Sequence, residues 1–318
     1  MSTQCRRPGI ARKLSYLMLA LPCMAFASPF AYVPNEKSGT VSIIDSATDT
    51  VVAEVKAGAK PRGLAIAGST LFVSDQPAGA LVMMDLESRK VTGTVPLGES
   101  PEGVSASRAG DWVAAASEIS NAVNFIDVAT KQKVFSVVTA GKNPEHAVFS
   151  PDGKLVMVSA EEADTVDLID FAQRKQVASI KVGQRPRGIA FRPDGAIAYV
   201  ACEMASTVYA IDVATRKVVK EIKAGNFSNG VAMAPDGKRV YISNGKDGTV
   251  SVIDTGTNAV VATVPVGKRP WNMAMTPDGK KLYVANGRSN SVSVIDTASN
   301  AVSKEIPVGE LPWGVVIK

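Results

Sequence analysis

The chain has 318 residues, of which 46% are hydrophobic and 20% charged, enough apolar material for a substantial core and the wrong balance for an intrinsically disordered chain. Its formal charge of +5 resembles a nucleic-acid signal until the charges are placed. Arg6, Arg7, Arg12 and Lys13 fall in a first 27 residues that hold no Asp or Glu, leaving 31 basic against 30 acidic residues and no general basic surface for a phosphate backbone.

Those first residues have the parts of a secretory signal: a cationic start, an apolar run from Leu14 to Phe26, and the small residues Ala25 and Ala27 set for cleavage before Ser28. The run is short for a membrane span. Arg6-Arg7 is followed by Pro8-Gly9, unlike a twin-arginine signal, and Pro22 is a poor neighbour for a lipidated Cys23. The expectation is a signal peptide over 1–27 and a mature chain, 28–318, that forms one domain, is periplasmic or secreted, and has no membrane span. Cys202 is then the one remaining cysteine, so packing and strand pairing rather than a disulfide must hold the fold.

From Ala31 the chain reads AYVPNEKSGTVSIIDSATDTVVAEVKAG, three apolar stretches with the period-two pattern of strands. Gly58-Ala59-Lys60-Pro61-Arg62-Gly63 and the run Leu64 to Ala67 complete a four-strand cycle, which then recurs. Asp45, Asp85, Asp127, Asp170, Asp212, Asp254 and Asp296 mark seven copies, spaced by 40, 42, 43, 42, 42 and 42 residues. A period near 42 built of strands signals a radial repeat. Pro-Asp-Gly at 151–153, 193–195, 235–237 and 277–279 supplies tight turns. Each repeat aspartate precedes small polar residues, as at Thr297 to Asn300, and is expected to cap the next turn.

The ends are complementary. The mature chain begins with the second strand of a unit and stops after a lone first strand, Gly314 to Ile317. Pairing that strand with the one near Tyr32 closes a ring and removes exposed edges. The prediction is an all-β, seven-bladed β-propeller with four-stranded blades, one of them shared between the two ends.

The runs LYVAN, VYISN and SVSVID resemble the YVTN family of β-propeller repeats over nearly all of the mature chain. PEGVSASRAGDWVAAASE, GQRPRGIAF and VGELPWGVV are similar to the propellers associated with pyrroloquinoline-quinone-dependent alcohol catabolism. That resemblance implies an exported, non-catalytic binding or scaffold protein with a protein partner such as a periplasmic dehydrogenase or cytochrome. It implies no cofactor of its own and a monomeric state. The other readings are a DNA-binding exported propeller, disfavoured by the charge balance, and a lactonase or lyase on a propeller scaffold.

Blade geometry brings the GxxPxG loops and the loops after Asn286 and its equivalents to one mouth of the channel. There Lys60 and Arg62, Arg185 and Arg187, and Lys268 and Arg269 are cationic. Glu99, Glu102, Glu161, Glu162 and Asp164 are acidic. Trp271 and Trp313 follow the prolines of consecutive units, and Arg288 to Asn290 form a further variable loop. These side chains make either a partner or small-anion site or a solvated ion-pair ring capped by tryptophans. His146, the single histidine, stands beside Glu145 in this region, as loop structure, a partner contact or an acid-base group. One histidine and one mature cysteine do not make a zinc site, and no catalytic constellation or metal motif stands out. Cys202 reads as a packed residue, with a reactive thiol as the alternative if Arg185 or Arg187 lies close.

Overall fold

The computed structural model describes residues 1–3 and 29–318. Arg6, Arg7, Arg12, Lys13, the apolar run and the cleavage-site alanines of the expected signal peptide lie outside the described residues. Residues 30 to 317 form seven four-stranded antiparallel sheets arranged as a ring. We number these blades I to VII along the chain. Blade I holds Phe30–Asn35, Thr40–Asp45 and Thr50–Lys56 and is completed by Val316–Ile317. Blades II to VII begin with Pro61–Ala67, Pro101–Ala106, Pro144–Phe149, Pro186–Phe191, Ser228–Met233 and Pro270–Met275. These first strands face the axis. Among the described residues no helix is long and apolar enough to cross a membrane.

The period-two pattern does not divide core from solvent in the middle strands. Leu282, Tyr283, Val284 and Ala285 are all fully buried. Alternate side chains instead enter different cores: Leu282 and Val284 pack with Tyr241 and Val252 of blade VI, while Tyr283 and Ala285 pack with Val33 and Ile44 of blade I. Each middle strand therefore serves two blade interfaces. Solvent meets the fourth strands, where Ala301–Pro307 is exposed at every position except Ile306.

The turns follow their local chemistry. Each repeat aspartate accepts a backbone N–H from the next turn, as from Ser299 to Asp296 Oδ1 at 2.8 Å and from Ala47 to Asp45 Oδ1 at 2.8 Å. Bonds of this kind, led by the backbone N–H, hold the carboxyls of Asp85, Asp127, Asp212, Asp254 and Asp296 below their ordinary range. Gly153 of a Pro-Asp-Gly turn has φ of 72°, the left-handed conformation a β-carbon disfavours.

The ring closes through the two ends. Val316 pairs with Tyr32 and Ile317 with Ala31, a shorter ladder than the expected Gly314 to Ile317, while Pro312 bridges to Asn35. Phe30 and Lys318 exchange backbone hydrogen bonds at 2.6 and 3.0 Å, and the Trp313 N–H donates to the Pro34 carbonyl at 3.0 Å.

Near the axis the blades approach so closely that side chains do not fit. A β-carbon at Gly63 would stand 2.2 Å from the Glu102 carbonyl oxygen, and one at Gly188 would stand 2.6 Å from that of Asn229. One at Gly103 would meet the Glu145 carbonyl oxygen at 2.6 Å and His146 Cδ2 at 2.8 Å. Gly103→Ala is accordingly expected to cost about 1–3 kcal/mol through overpacking. Gly256→Ala, whose new carbon would have only Asp254 Oδ1 at 3.4 Å, is the control and should melt like the parent chain. Equal thermal denaturation curves for the two variants would refute the close-approach account.

Candidate functional site

Three sets of equivalent positions line the mouth. The residue after each proline position runs Arg62, Glu102, Glu145, Arg187, Asn229, Trp271 and Trp313. The residue after each second strand runs Glu36, Gln76, Glu118, Glu161, Glu203, Gly245 and Gly287. The residue before each proline position runs Lys60, Ser100, Asn143, Arg185, Phe227, Arg269 and Leu311. All but Lys60 in this last set hold a left-handed backbone, with φ between 54° and 60°. That turn leads into an irregularity in strand pairing, as between Pro186 and Ile189, which carries Arg187 out of the regular ladder.

A cavity of about 200 Å³ opens here, lined by Glu36, Arg62, Glu118, Glu145, Arg185, Arg187, Asn229, Arg269, Trp271, Asn272 and Trp313. Its charges form two networks. In one, Arg62 binds Glu102 at 2.5 Å and Glu36 at 3.2 Å, and Gln76 donates to Glu102 at 2.6 Å. In the other, Arg187 spans Glu145 at 2.5 Å, Glu161 at 2.7 Å and Glu203 at 3.2 Å. Arg269 reaches the same Glu203 at 2.5 Å. Arg185 meets Glu161 and Glu203 through Nε alone, at 3.0 and 3.4 Å, and its side chain is 43% exposed. Its two terminal amino groups have no partner among the described residues, so the guanidinium presents a fork to the mouth.

The carboxyls differ sharply. Glu102 is fully buried, and burial together with the nearby Glu145 charge, opposed by Arg62, pushes its carboxyl up to about 9. Its Oε2 has no hydrogen-bond partner among the described residues. Burial also acts to raise Glu145, but Arg187 leads a set of nearby groups that outweigh it and hold this carboxyl below its ordinary value. Glu161, buried and near Glu145, rises to about 7. An acid that keeps its proton thus neighbours one that has lost it. Burial lowers His146 despite Glu145, so the imidazole is neutral at pH 7.

His146 occupies the position that is glycine after Arg62, Glu102, Arg187, Asn229 and Trp313. Its ring stacks on Trp313 with centroids 5.5 Å apart and planes 16° apart. The two come from blades IV and I and meet across the channel, forming a floor under the cavity. His146 Nδ1 is buried there without a hydrogen-bond partner.

Of the residues singled out in the sequence, Arg62, Arg185, Arg187, Arg269, Trp271 and Trp313 meet around this cavity, with His146 beneath. Lys60, Lys268 and Arg288 lie outside it and are exposed. Trp271 covers Gly287, where a β-carbon would stand 2.5 Å from the indole Cε3. Cys202 is fully buried, and desolvation pushes its thiol up to about 12, which removes the reactive-thiol alternative. The sequence reading passed over Glu36, Glu118, Glu203, Asn229 and Asn272. Counting from the prolines and from the second-strand ends would have found all but Asn272, which is legible as the second replacement of the glycine. Among the described residues no three His, Cys, Asp or Glu side chains are grouped so as to hold a metal ion.

The buried acids link stability to pH. Glu102 titrates near 4.5 when unfolded and near 9 when folded, so the folded state holds the extra proton between those values. Its contribution is full below pH 4.5 and is lost as pH rises through 9, and Glu161 acts in the same direction up to about 7. The melting temperature is expected to fall between pH 7 and 9.5, and Glu102→Gln, isosteric with the protonated acid, should flatten that fall. A parent chain whose melting temperature is constant over this range would contradict the assignment.

The family model described as lactonase, 7-bladed β-propeller, matches residues 41–305. No curated protein matches the sequence. Among solved structures, the chain is similar to hydrazine synthase of Kuenenia stuttgartiensis at 24% identity and a TM-score of 0.77, covering 89% of this chain and 99% of that one. It is also similar to a functionally unknown protein from Desulfotomaculum acetoxidans, at 17% identity and a TM-score of 0.81, covering 91% and 98% of the two chains. A putative 6-phosphogluconolactonase from Bacteroides uniformis matches at 20% identity and a TM-score of 0.77, covering 92% and 100%. At these identities the structural likenesses carry the fold alone. The family match runs over most of the ring, and the chain belongs to the seven-bladed β-propeller lactonase family.

Proposed function

We propose that the mouth cavity binds a small lactone or hydroxy-acid and hydrolyses the lactone ring. The observation that carries this reading is an ionised Glu145 in the wall of a cavity that also holds the Arg185 fork. A carboxylate held ionised in a cavity wall is able to act as a general base. In the reaction proposed, Glu145 takes a proton from a water whose oxygen bonds to the lactone carbonyl carbon. Arg185 stabilises the negative charge on the carbonyl oxygen. The ring carbon–oxygen bond then breaks, and the departing alkoxide takes back from Glu145 the proton it drew from water, leaving a hydroxy acid. Trp313 lines the cavity and is held there by its stack on His146.

The test is hydrolysis of a panel of small lactones followed by acid release. Glu145→Gln should lower kcat by roughly 10²–10⁴, the span ordinarily supplied by a positioned acid-base group. A parent chain with no activity on any of the panel, or a Glu145→Gln variant as active as the parent, would remove the reading.

The second reading is an exported, non-catalytic binding protein accessory to quinone-dependent alcohol oxidation, with a dehydrogenase or cytochrome as partner. It is favoured by the ion pairing of every cavity arginine to a glutamate, the arrangement expected of a rigid, preformed rim. The same pairing weighs against a nucleic-acid backbone in the central cavity itself, because Arg62, Arg187 and Arg269 are already paired there. Here the expected outcome is recovery of a dehydrogenase or cytochrome with the mature chain from periplasm of alcohol-grown cells, and loss of that capture on Arg185→Ala with Trp313→Ala. Capture that survives both substitutions would detach the partner from this site.

A further inference from the structure

Beside the central cavity, a second hollow of about 560 Å³ lies on the mouth face around the loops of blades VI and VII. Its walls carry Lys246, Lys268, Arg269 and Arg288 against a single carboxylate, Asp247. Asp247 is oriented by Asn226, accepting from its N–H at 2.7 Å and from its Nδ2 at 2.9 Å, and its one charge leaves the cations of the hollow in excess. Arg269 is committed to Glu203. Lys246, Lys268 and Arg288 make no ion pair with any carboxylate among the described residues, although acidic and basic residues outside the leader are nearly equal in number.

Repeat register shows that this imbalance is a local replacement. After the second strand, blades I to V carry Glu36, Gln76, Glu118, Glu161 and Glu203, whereas blades VI and VII carry Gly245 and Gly287, each followed by a cation. The glycines have a packing reason: β-carbons there would stand 3.0 Å from Arg269 Nη1 and 2.5 Å from Trp271. The cations have none of that kind.

Blade I shows what the same loop pair does when it is self-sufficient. The Lys37 N–H donates to the Glu310 carbonyl at 3.2 Å, and the Lys37 ammonium pairs with the Glu310 carboxylate at 2.6 Å. In blade VII the Arg288 N–H donates to the Lys268 carbonyl at 3.1 Å, the equivalent backbone bond, but the facing side chains are both cations. Phe227 draws a third and a fourth charge inward, with Lys246 Nζ at 5.6 Å and the Arg269 guanidinium at 5.4 Å from its ring centre. Like charges held at positions where a sibling blade makes an ion pair repel one another until an anion is shared between them.

We propose that this hollow is a binding site for a small dianionic oxyanion, a phosphate-type group, held by Lys268, Arg288 and Lys246. It stands independently of any chemistry in the central cavity. The volume exceeds that of the anion alone, so the site accommodates the group free or attached to a larger small molecule.

The test uses the full chain and inorganic phosphate, titrated by calorimetry at ionic strength held constant with chloride. Saturable binding is expected for the parent chain, with affinity lowered about tenfold or more by Lys268→Gln combined with Arg288→Gln, the loss of charge-assisted bonds. Lys154→Gln with Lys181→Gln, on exposed lysines elsewhere, should bind like the parent. Lys268→Glu reproduces the blade I pair and is expected both to abolish phosphate binding and to raise the melting temperature, which shows that the variant is folded. No saturation by the parent at matched ionic strength, undiminished binding by the double variant, or parent-like binding by Lys268→Glu would each overturn the proposal. So would binding of an oligonucleotide by a chain that does not bind phosphate.

Discussion

The dimension that governs this molecule is the distance between neighbouring blades where they meet the axis. Backbone approaches backbone so closely at Gly63, Gly103, Gly188 and Gly230 that a β-carbon would lie 2.2–2.6 Å from a carbonyl oxygen of the next blade. The chain satisfies that constraint by placing glycine there, and a residue that does project inward occupies space its six counterparts mostly leave empty. His146 is such a residue. The stack it forms with Trp313 exists because five equivalent positions carry no side chain. Packing at the axis and chemistry at the mouth are therefore one problem, solved by the choice of a few residues in each repeat.

The ring itself was legible in the sequence. Asp45 and its six counterparts mark the copies because a cap requires an aspartate at one place in each turn, and the spacing survives with two small length changes. Closure was legible too, since the incomplete first and last units are complementary. The site was legible only in part. Arg62, Arg187 and Arg269 could be placed at the mouth by counting, but each has a partner in another blade, at separations of 40, 42 and 66 residues for Glu102, Glu145 and Glu203. Which glutamate meets which arginine depends on the direction a left-handed turn gives each side chain. No pattern of spacing contains that direction.

The protonation of Glu102 lay further out of reach. A glutamate in a loop reads as solvated, and its neutral state follows from full burial beside Glu145. The gathering of unpaired cations at one part of the mouth is likewise hidden in total charge. Blades I to V carry glutamate or glutamine after the second strand, blades VI and VII do not, and the sum over the ring cancels. Near-neutral composition conceals a local excess of cations beside blades VI and VII.

Trp313 belongs to the segment that closes the ring, and its backbone N–H is held by Pro34 at the other end of the chain. The floor of the cavity is consequently absent from any intermediate whose ends have not met. His146 has no stacking partner until the final segment brings Trp313 to it. The two closing segments, each only a few residues from a charged group of the mouth, thus decide together when the stack beneath the cavity is complete.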